Sequence, residues 1–280
     1  MARDGIGRDL VGKRFLITGG GTGIGAATAV LAANQGMKVM VTGRRAEPLE
    51  AVVAGIRSQG GEAAHFVGDV AEDGASVAAL EAIRSAWGGV DAVFANAGYG
   101  IEKPVLESDD EDLRRIFEVN VFAAVDLLRR SGTMMLEEGR PGHLLGCSSI
   151  LGKFTLPRYG LYSSTKAALT HVCRSMRAEL AGSGIAVSTV HPVTTRTEFF
   201  DVAMRSSGDG HGPALREDGT PRHAPRLFIQ PPERVAKAVL RCLRRPRAEA
   251  WTTFPGRLAN GVFEFLPPIY DLVLRSAGKP

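Results

Sequence analysis

Cysteine is scarce in this 280-residue chain: Cys147, Cys173 and Cys242 stand far apart and form no CxxC pair and no Cys/His ligand spacing. That argues against a disulfide scaffold and a cysteine-held metal, and free thiols lead us to expect a reducing, cytoplasmic setting, with no metal expected. A strong charge of one sign is also missing. Lys and Arg number 34 against 30 Asp and Glu, a net +4. The excess is local: residues 222–257 hold nine Lys or Arg and two Glu, which leaves the rest of the chain at −3. A mildly acidic body with no aromatic stacking platform excludes nucleic acid as the expected partner.

Long hydrophobic runs are lacking too. The first 14 residues carry six charges, unlike a secretory leader. Residues 15–37 are uncharged, but six glycines and Thr18, Thr22, Thr28, Asn34 and Gln35 make a lipid-spanning helix a poor fit. Residues 258–274 are interrupted by Asn260, Glu264, Pro267, Pro268 and Asp271. No transmembrane span is expected.

What is present is alternation. Short apolar runs at 15–18, 38–42, 63–67, 92–95, 143–147, 186–190 and 250–253 read as strands. Helical patterns fill 23–35, 47–58, 73–87, 109–136, 161–181 and 232–244. Repeated strand–helix–strand order requires crossovers, and hence an α/β fold: a doubly wound parallel sheet, Rossmann-like, with helices on both faces. One domain over residues 1–280 is expected. Residues 192–231 lack steady periodicity and read as a long loop, with 193–230 a candidate substrate lid. Residues 254–280 form a C-terminal extension whose Pro267-Pro268 pair breaks any single amphipathic helix.

Three motifs carry chemistry. Thr18-Gly19-Gly20-Gly21-Thr22-Gly23-Ile24-Gly25 joins the first strand to an alanine-rich helix. Glycines there permit a tight turn and close approach of a pyrophosphate to the amides at a helix start. The second strand ends Gly43-Arg44-Arg45, with glycine where an NAD site places an acid for the ribose 2′-hydroxyl. Two guanidinium groups favour a 2′-phosphate, so NADP(H) is expected over NAD(H); the plain alternative is a solvated pair. Tyr162 and Lys166 stand four apart on one helical face, which brings phenol and ammonium together and predicts a lowered tyrosine pKa. Ser149, 13 residues upstream, ends the fifth strand.

Taken jointly with Asp69 after the third strand, Asn96-Ala97-Gly98 after the fourth and Asn120 in a long helix, the sequence resembles the short-chain dehydrogenase/reductase family. The resemblance runs from about residue 13 to 192. It implies that Tyr162 is the acid in carbonyl reduction and the base in alcohol oxidation. Lys166 would hold the nicotinamide ribose and keep the tyrosine pKa low, and Ser149 would orient the substrate oxygen. Asn120 would position a water in a proton relay. Asp69, with Val70 beside it, would meet the adenine, and Asn96, with Ala97 and Gly98, would shape the adenine-ribose wall. Pairing of the long helices into a homodimer or homotetramer is also implied.

Two departures stand out. Where the family commonly has Pro-Gly, this chain has Pro192-Val193, followed by Thr194, Thr195, Arg196 and Thr197. Valine narrows the nicotinamide end or reroutes the loop, and Val193, Thr195 and Thr197 remain candidates for the carboxamide and phosphates. Thr22 occupies a place where many NADP-preferring relatives carry a basic residue, so the 2′-phosphate would depend on Arg44 and Arg45. His191 and Cys147 flank these residues and read as structural. The expected function is interconversion of a carbonyl and an alcohol on a small, lipophilic substrate. The competing reading is a dinucleotide-binding regulatory or scaffold protein without turnover.

Overall fold

The structure, a computed structural model, describes residues 4–208, 211–222 and 224–277. Asp209 and Gly210 of the expected lid, His223, and residues 278–280 of the extension lie outside them.

Seven parallel strands form one sheet: β1 (Arg14–Thr18), β2 (Lys38–Gly43), β3 (Glu62–Val67), β4 (Ala92–Ala95), β5 (Gly142–Cys147), β6 (Ile185–His191) and β7 (Glu249–Trp251). Their spatial order is β3-β2-β1-β4-β5-β6-β7. The chain builds outward from β1 to β3, then returns to the other side of β1 with β4. This reversal opens a crevice beyond the carboxyl ends of β1 and β4, where a doubly wound sheet binds its ligand. The register Phe15↔Ala92 and Ile17↔Phe94 sets the glycine turn after β1 level with Asn96.

Alternating strand residues serve two cores. On one face Phe15, Ile17, Val39 and Val41 meet Ala29 and Ala32 of α1 (Gly23–Ala33) and Val235 and Val239 of α8 (Pro232–Arg244). On the other, Leu16, Met40, Val93 and Leu144 meet Leu127 and Leu128 of α5 (Ala123–Glu137) and Leu169 of α6 (Gly160–Glu179). Helices α2 (Ala46–Ser58) and α3 (Ala75–Trp87) complete the two faces.

Three regions differ from the sequence pattern. The expected helix 109–136 is α4 (Asp110–Phe117), one π-helical turn (Glu118–Phe122) and α5. Asp109 and Asp112 form a capping box at its start. The expected loop 192–231 contains a helix, α7 (Phe199–Ser206), because Phe200 and Ala203 give it a buried side that the surrounding Ser, Gly and Pro obscure. Bridges Thr195↔Gln230 and Leu215↔Pro221 close the same segment. The extension folds as α9 (Phe254–Phe265) and α10 (Pro267–Ala277), parted at Leu266. It docks on the segment after β5: the Phe263 ring meets the Phe154 edge at 5.0 Å, and the Tyr270 hydroxyl donates to the Thr155 carbonyl at 3.0 Å. Among the described residues no helix is long and apolar enough to cross a membrane.

Candidate active site

A cleft of about 1180 Å³ lies at the carboxyl ends of the strands. Its dinucleotide half begins at the turn after β1. Gly19 has φ +63, and a Cβ there would come within 3.0 Å of the Ala97 backbone. Gly23, at φ +55, would strike Thr197 at 2.9 Å. Side chains would fill the cradle, so glycine is required at both positions. Asn96 braces the turn, its Nδ2 donating to the carbonyls of Thr18 at 2.9 Å and Gly19 at 3.2 Å. The amides of Asn96 and Ala97 each donate to Thr18 Oγ1 at 3.0 Å. Thr22 caps α1 with extended backbone and no side-chain hydrogen bond, and no acid occupies the first helical turn. The amides and dipole of this helix start are therefore free for an anion.

Gly19, Thr22, Gly23, Ile24, Arg44, Arg45, Asp69, Val70 and residues 96–98 all line the same cleft. Gly21 and Gly25 lie behind it. Gly21 faces Pro48, and a Cβ on Gly25 would fall 2.1 Å from the Gly19 carbonyl oxygen. Arg45 is ion-paired with Glu198 at 2.8 Å, both side chains more than half exposed. Arg44 makes no ion pair among the described residues and stays available to a ligand. Asp69 accepts from Arg115 Nη2 at 3.0 Å, a partner that the sequence pattern did not reveal. Residues 46 positions apart meet here, Arg115 on α4 and Asp69 just after β3. The residues present fit a nicotinamide dinucleotide: a glycine cradle, an uncapped helix start and an unpaired guanidinium at the end of β2.

At the other end, Ser149, Tyr162 and Lys166 line the cleft. The Ser149 hydroxyl lies near enough to Tyr162 to favour its phenolate. Ser149 starts a 3-10 turn whose Leu151 amide donates to its Oγ at 3.1 Å, which fixes the hydroxyl. The Lys166 ammonium lies 5.7 Å from the Tyr162 ring centre and donates to the Cys147 carbonyl at 2.9 Å. The expected lowering of the tyrosine pKa is not found. Burial raises it, against the opposing pull of the Ser149 hydroxyl, and Lys166 is itself buried with its pKa lowered by desolvation. Tyr162 thus holds its proton at neutral pH, as an acid must.

Asn120 is fully buried in the π-helical turn. Its Oδ1 accepts from the Tyr99 amide at 3.0 Å, and its Nδ2 donates to the Tyr99 carbonyl at 2.9 Å and to Thr165 Oγ1 at 3.1 Å. A Cβ on Gly98 would lie 2.8 Å from Asn120 Oδ1 and 3.2 Å from Lys166 Nζ, so the two groups converge behind that glycine. Asn120 itself does not line the cleft.

Pro192, Val193, Thr195 and Thr197 also line the cleft. Arg158 is the only non-glycine with positive φ among the described residues, so Val193 tolerates its place without left-handed backbone. Its side chain is buried toward α9, near Gly256. Thr195 Oγ1 accepts from Gln230 at 3.2 Å. His191 is stacked on Trp251 at 4.9 Å, and its Nδ1 donates to the Ser149 carbonyl at 3.0 Å. It therefore braces the loop that carries Ser149. Cys147 is a buried free thiol with its pKa raised by burial.

Burial lowers the pKa of His191 to about 4 and that of His143 to about 3. Both fold neutral, so the unfolded chain binds the extra protons, and stability falls as pH drops through 6.5 toward those values. Each histidine is expected to cost about 2 kcal/mol between pH 7 and pH 5. Urea melts at the two pH values check this, and His191→Gln should remove about half of the histidine share.

Fold and cleft together are those of a dinucleotide-dependent oxidoreductase, with Ser149, Tyr162 and Lys166 lining one end. The short chain dehydrogenase family model matches residues 13–206. The chain is 33% identical over 199 residues to a 2,5-dichloro-2,5-cyclohexadiene-1,4-diol dehydrogenase of Sphingobium indicum, covering 70% of this chain and 78% of the relative. A short chain dehydrogenase/reductase of Burkholderia phymatum, solved with NAD, superposes with TM-score 0.80 at 24% identity, covering 92% and 96% of the two chains. A metagenomic short-chain oxidoreductase, solved with NADP, gives TM-score 0.69 at 26% identity over 87% and 97%. The chain belongs to the short-chain dehydrogenase/reductase family, and is an enzyme acting on CH–OH and C=O groups with a nicotinamide dinucleotide.

Proposed function

We propose that this enzyme interconverts a lipophilic ketone or aldehyde and its alcohol with NADP(H). The observation that carries the reading is the buried Tyr162, lining one cleft with Ser149 and backed by the Lys166 ammonium. In reduction the Tyr162 hydroxyl donates its proton to the substrate oxygen, and in oxidation the phenolate takes it back. Ser149 holds that oxygen and stabilises the charge developing on it. Lys166 offsets the charge left on the phenolate. Asn120 fixes the backbone at Tyr99 and the hydroxyl at Thr165, the residue just before Lys166, and so holds the inner end of a proton relay. When bound, the nicotinamide supplies or accepts the hydride.

Asp69 and Val70 would face the adenine, Asn96, Ala97 and Gly98 its ribose, and residues 192–197 the nicotinamide side. The wall beyond Tyr162 is apolar, with Ile101, Leu151, Leu156, Phe199, Phe228 and Phe263, which suits a lipophilic substrate. The Phe199 ring stands 5.5 Å from that of Tyr162, edge to face, so α7 serves as the lid over the reacting group. The exposed Leu113 on α4, Phe122 in the π-helical turn and Leu136 on α5 support assembly as a homodimer or homotetramer.

The cofactor preference rests on Arg44, which the sheet places at the cleft with no acid in the position after β2. Arg44→Asp should weaken NADPH binding about 10- to 100-fold relative to NADH, the loss of one charge-assisted contact replaced by repulsion. Titration of both cofactors by fluorescence measures the ratio; an unchanged ratio would remove the assignment.

A further inference from the structure

Of the acids that line the cleft, Glu102 alone is buried among the described residues. Asp109, Glu111 and Glu198 are exposed, and Asp69 and Asp112 half-buried. Glu102 sits in the segment after β4, on the substrate side of Gly98, and its place is fixed from several directions. Its amide donates to Ser207 Oγ at 2.9 Å, and its carbonyl accepts from the Gly212 amide at 3.1 Å, so the lid holds its backbone. Its Oε2 accepts from the Tyr159 hydroxyl at 2.5 Å, and its Oε1 faces Arg158 Nε at 3.6 Å. Arg158 is held at φ +71, a strained conformation, with its carbonyl accepting from the Lys103 amide at 2.8 Å. Tyr159 also lines the cleft and stands three residues before Tyr162, in the same buried cluster.

We propose that the Glu102 carboxylate is the second recognition point of the substrate site, and that the substrate class is a hydroxyketone or the matching diol. This rests on the carbonyl/alcohol reading of Tyr162. A carboxylate offers about four acceptor directions, and Tyr159 and Arg158 use only part of them. Beside the apolar side chains of this wall, spare acceptor capacity on a buried carboxylate selects a ligand that brings a donor. The guanidinium of Arg158 already balances the carboxylate charge, which favours a neutral hydroxyl over an ammonium group. Tyr159 stands at the N-cap of α6, three residues before Tyr162, and both line the cleft with Glu102. A ligand carrying a hydroxyl and a carbonyl can therefore meet Glu102 and Tyr162 within one cleft, and the strained Arg158 backbone holds the Glu102 side.

The test compares 4-hydroxycyclohexanone with cyclohexanone, with NADPH. The wild-type kcat/KM for the hydroxyketone should exceed that for cyclohexanone by about tenfold or more, the worth of one hydrogen bond to a charged group. Glu102→Gln should bring that ratio to within about threefold of one. Ser207→Ala, which releases the backbone latch but leaves the carboxylate, should keep the wild-type ratio. A wild type that shows no preference, or a Glu102→Gln variant that keeps it, overturns the proposal. Loss of the ratio in Ser207→Ala as well would assign Glu102 to lid packing and overturn it too. If neither ketone is turned over, the carbonyl/alcohol reading fails instead. Calorimetric binding of the same two ketones to wild type and Glu102→Gln then decides Glu102 by the same ratio.

Discussion

Tyr162→Phe is expected to lower kcat by about a thousandfold or more while leaving the dinucleotide affinity within about threefold of wild type. General acid catalysis by a positioned group contributes about 10²–10⁴-fold, and the substituted ring has no proton to give. The ring itself should stay in place. Its edge contact with Phe199 does not involve the hydroxyl, and its cluster with Ile101, Ile116 and Tyr159 is apolar. Loss of one hydroxyl from this position should cost about 1 kcal/mol of stability at most, so the variant folds. Single-turnover reduction of a ketone panel, beside fluorescence titration of NADPH, separates the two effects. Near-normal turnover would remove Tyr162 from the mechanism and revive a scaffold reading. The raised pKa adds a direction to the pH profile. Because Tyr162 keeps its proton at neutral pH, reduction should persist into mildly alkaline solution, while oxidation should gain as pH rises toward the tyrosine pKa.

Much of this site could be read from local pattern because its parts are local. The glycine turn, the Tyr162–Lys166 pair and the end of β2 are each set within a few residues, and helical or strand spacing carries them into place. The parallel sheet follows from crossover connections in the same way, and every expected strand appears within a residue or two of its place. What escaped was the product of long-range approach. Arg115 reaches Asp69 across 46 residues, Glu198 reaches Arg45 across 153, and Tyr159 finds Glu102 across 57. No periodicity marks such pairs, since each is decided by how helices and lid settle on the sheet. The tyrosine pKa was misjudged for a related reason. Spacing reported the nearby cation but not the burial of both partners, and burial outweighs the attraction here. Helix α7 escaped because its one buried side rests on only two residues, Phe200 and Ala203, beside a Ser- and Gly-rich run.

Gly25→Ala should be the most damaging small substitution in the chain, although it adds a single methyl. Its Cβ would lie 2.1 Å from the Gly19 carbonyl oxygen, 2.8 Å from the Gly19 carbonyl carbon and 2.9 Å from Asn96 Nδ2. Two of these atoms belong to the backbone of the very turn that forms the cradle, so no rotamer change relieves the clash. Either α1 lifts from β1 or the turn opens. Lifting α1 is resisted by its alanine face, where Ala29 and Ala32 are wholly buried against the sheet and α8. Overpacking of this kind costs about 1–3 kcal/mol, and backbone-on-backbone contact belongs at the upper end. Opening the turn shifts the amides at the start of α1 and the Asn96 bonds together. A displacement near 1 Å then lowers kcat/KM by about a hundredfold even where the protein stays folded. Gly55→Ala is the control, the same chemical change in the exposed middle of α2, where a Cβ meets nothing within 4 Å. It should stabilise by about 0.5–1 kcal/mol through helix propensity and leave cofactor affinity unchanged. Urea melts and NADPH titrations on the two variants should therefore move in opposite directions for stability, and only Gly25→Ala should lose binding. Equal behaviour of the pair would mean that the close contact between α1 and the glycine turn does not support the cofactor cradle.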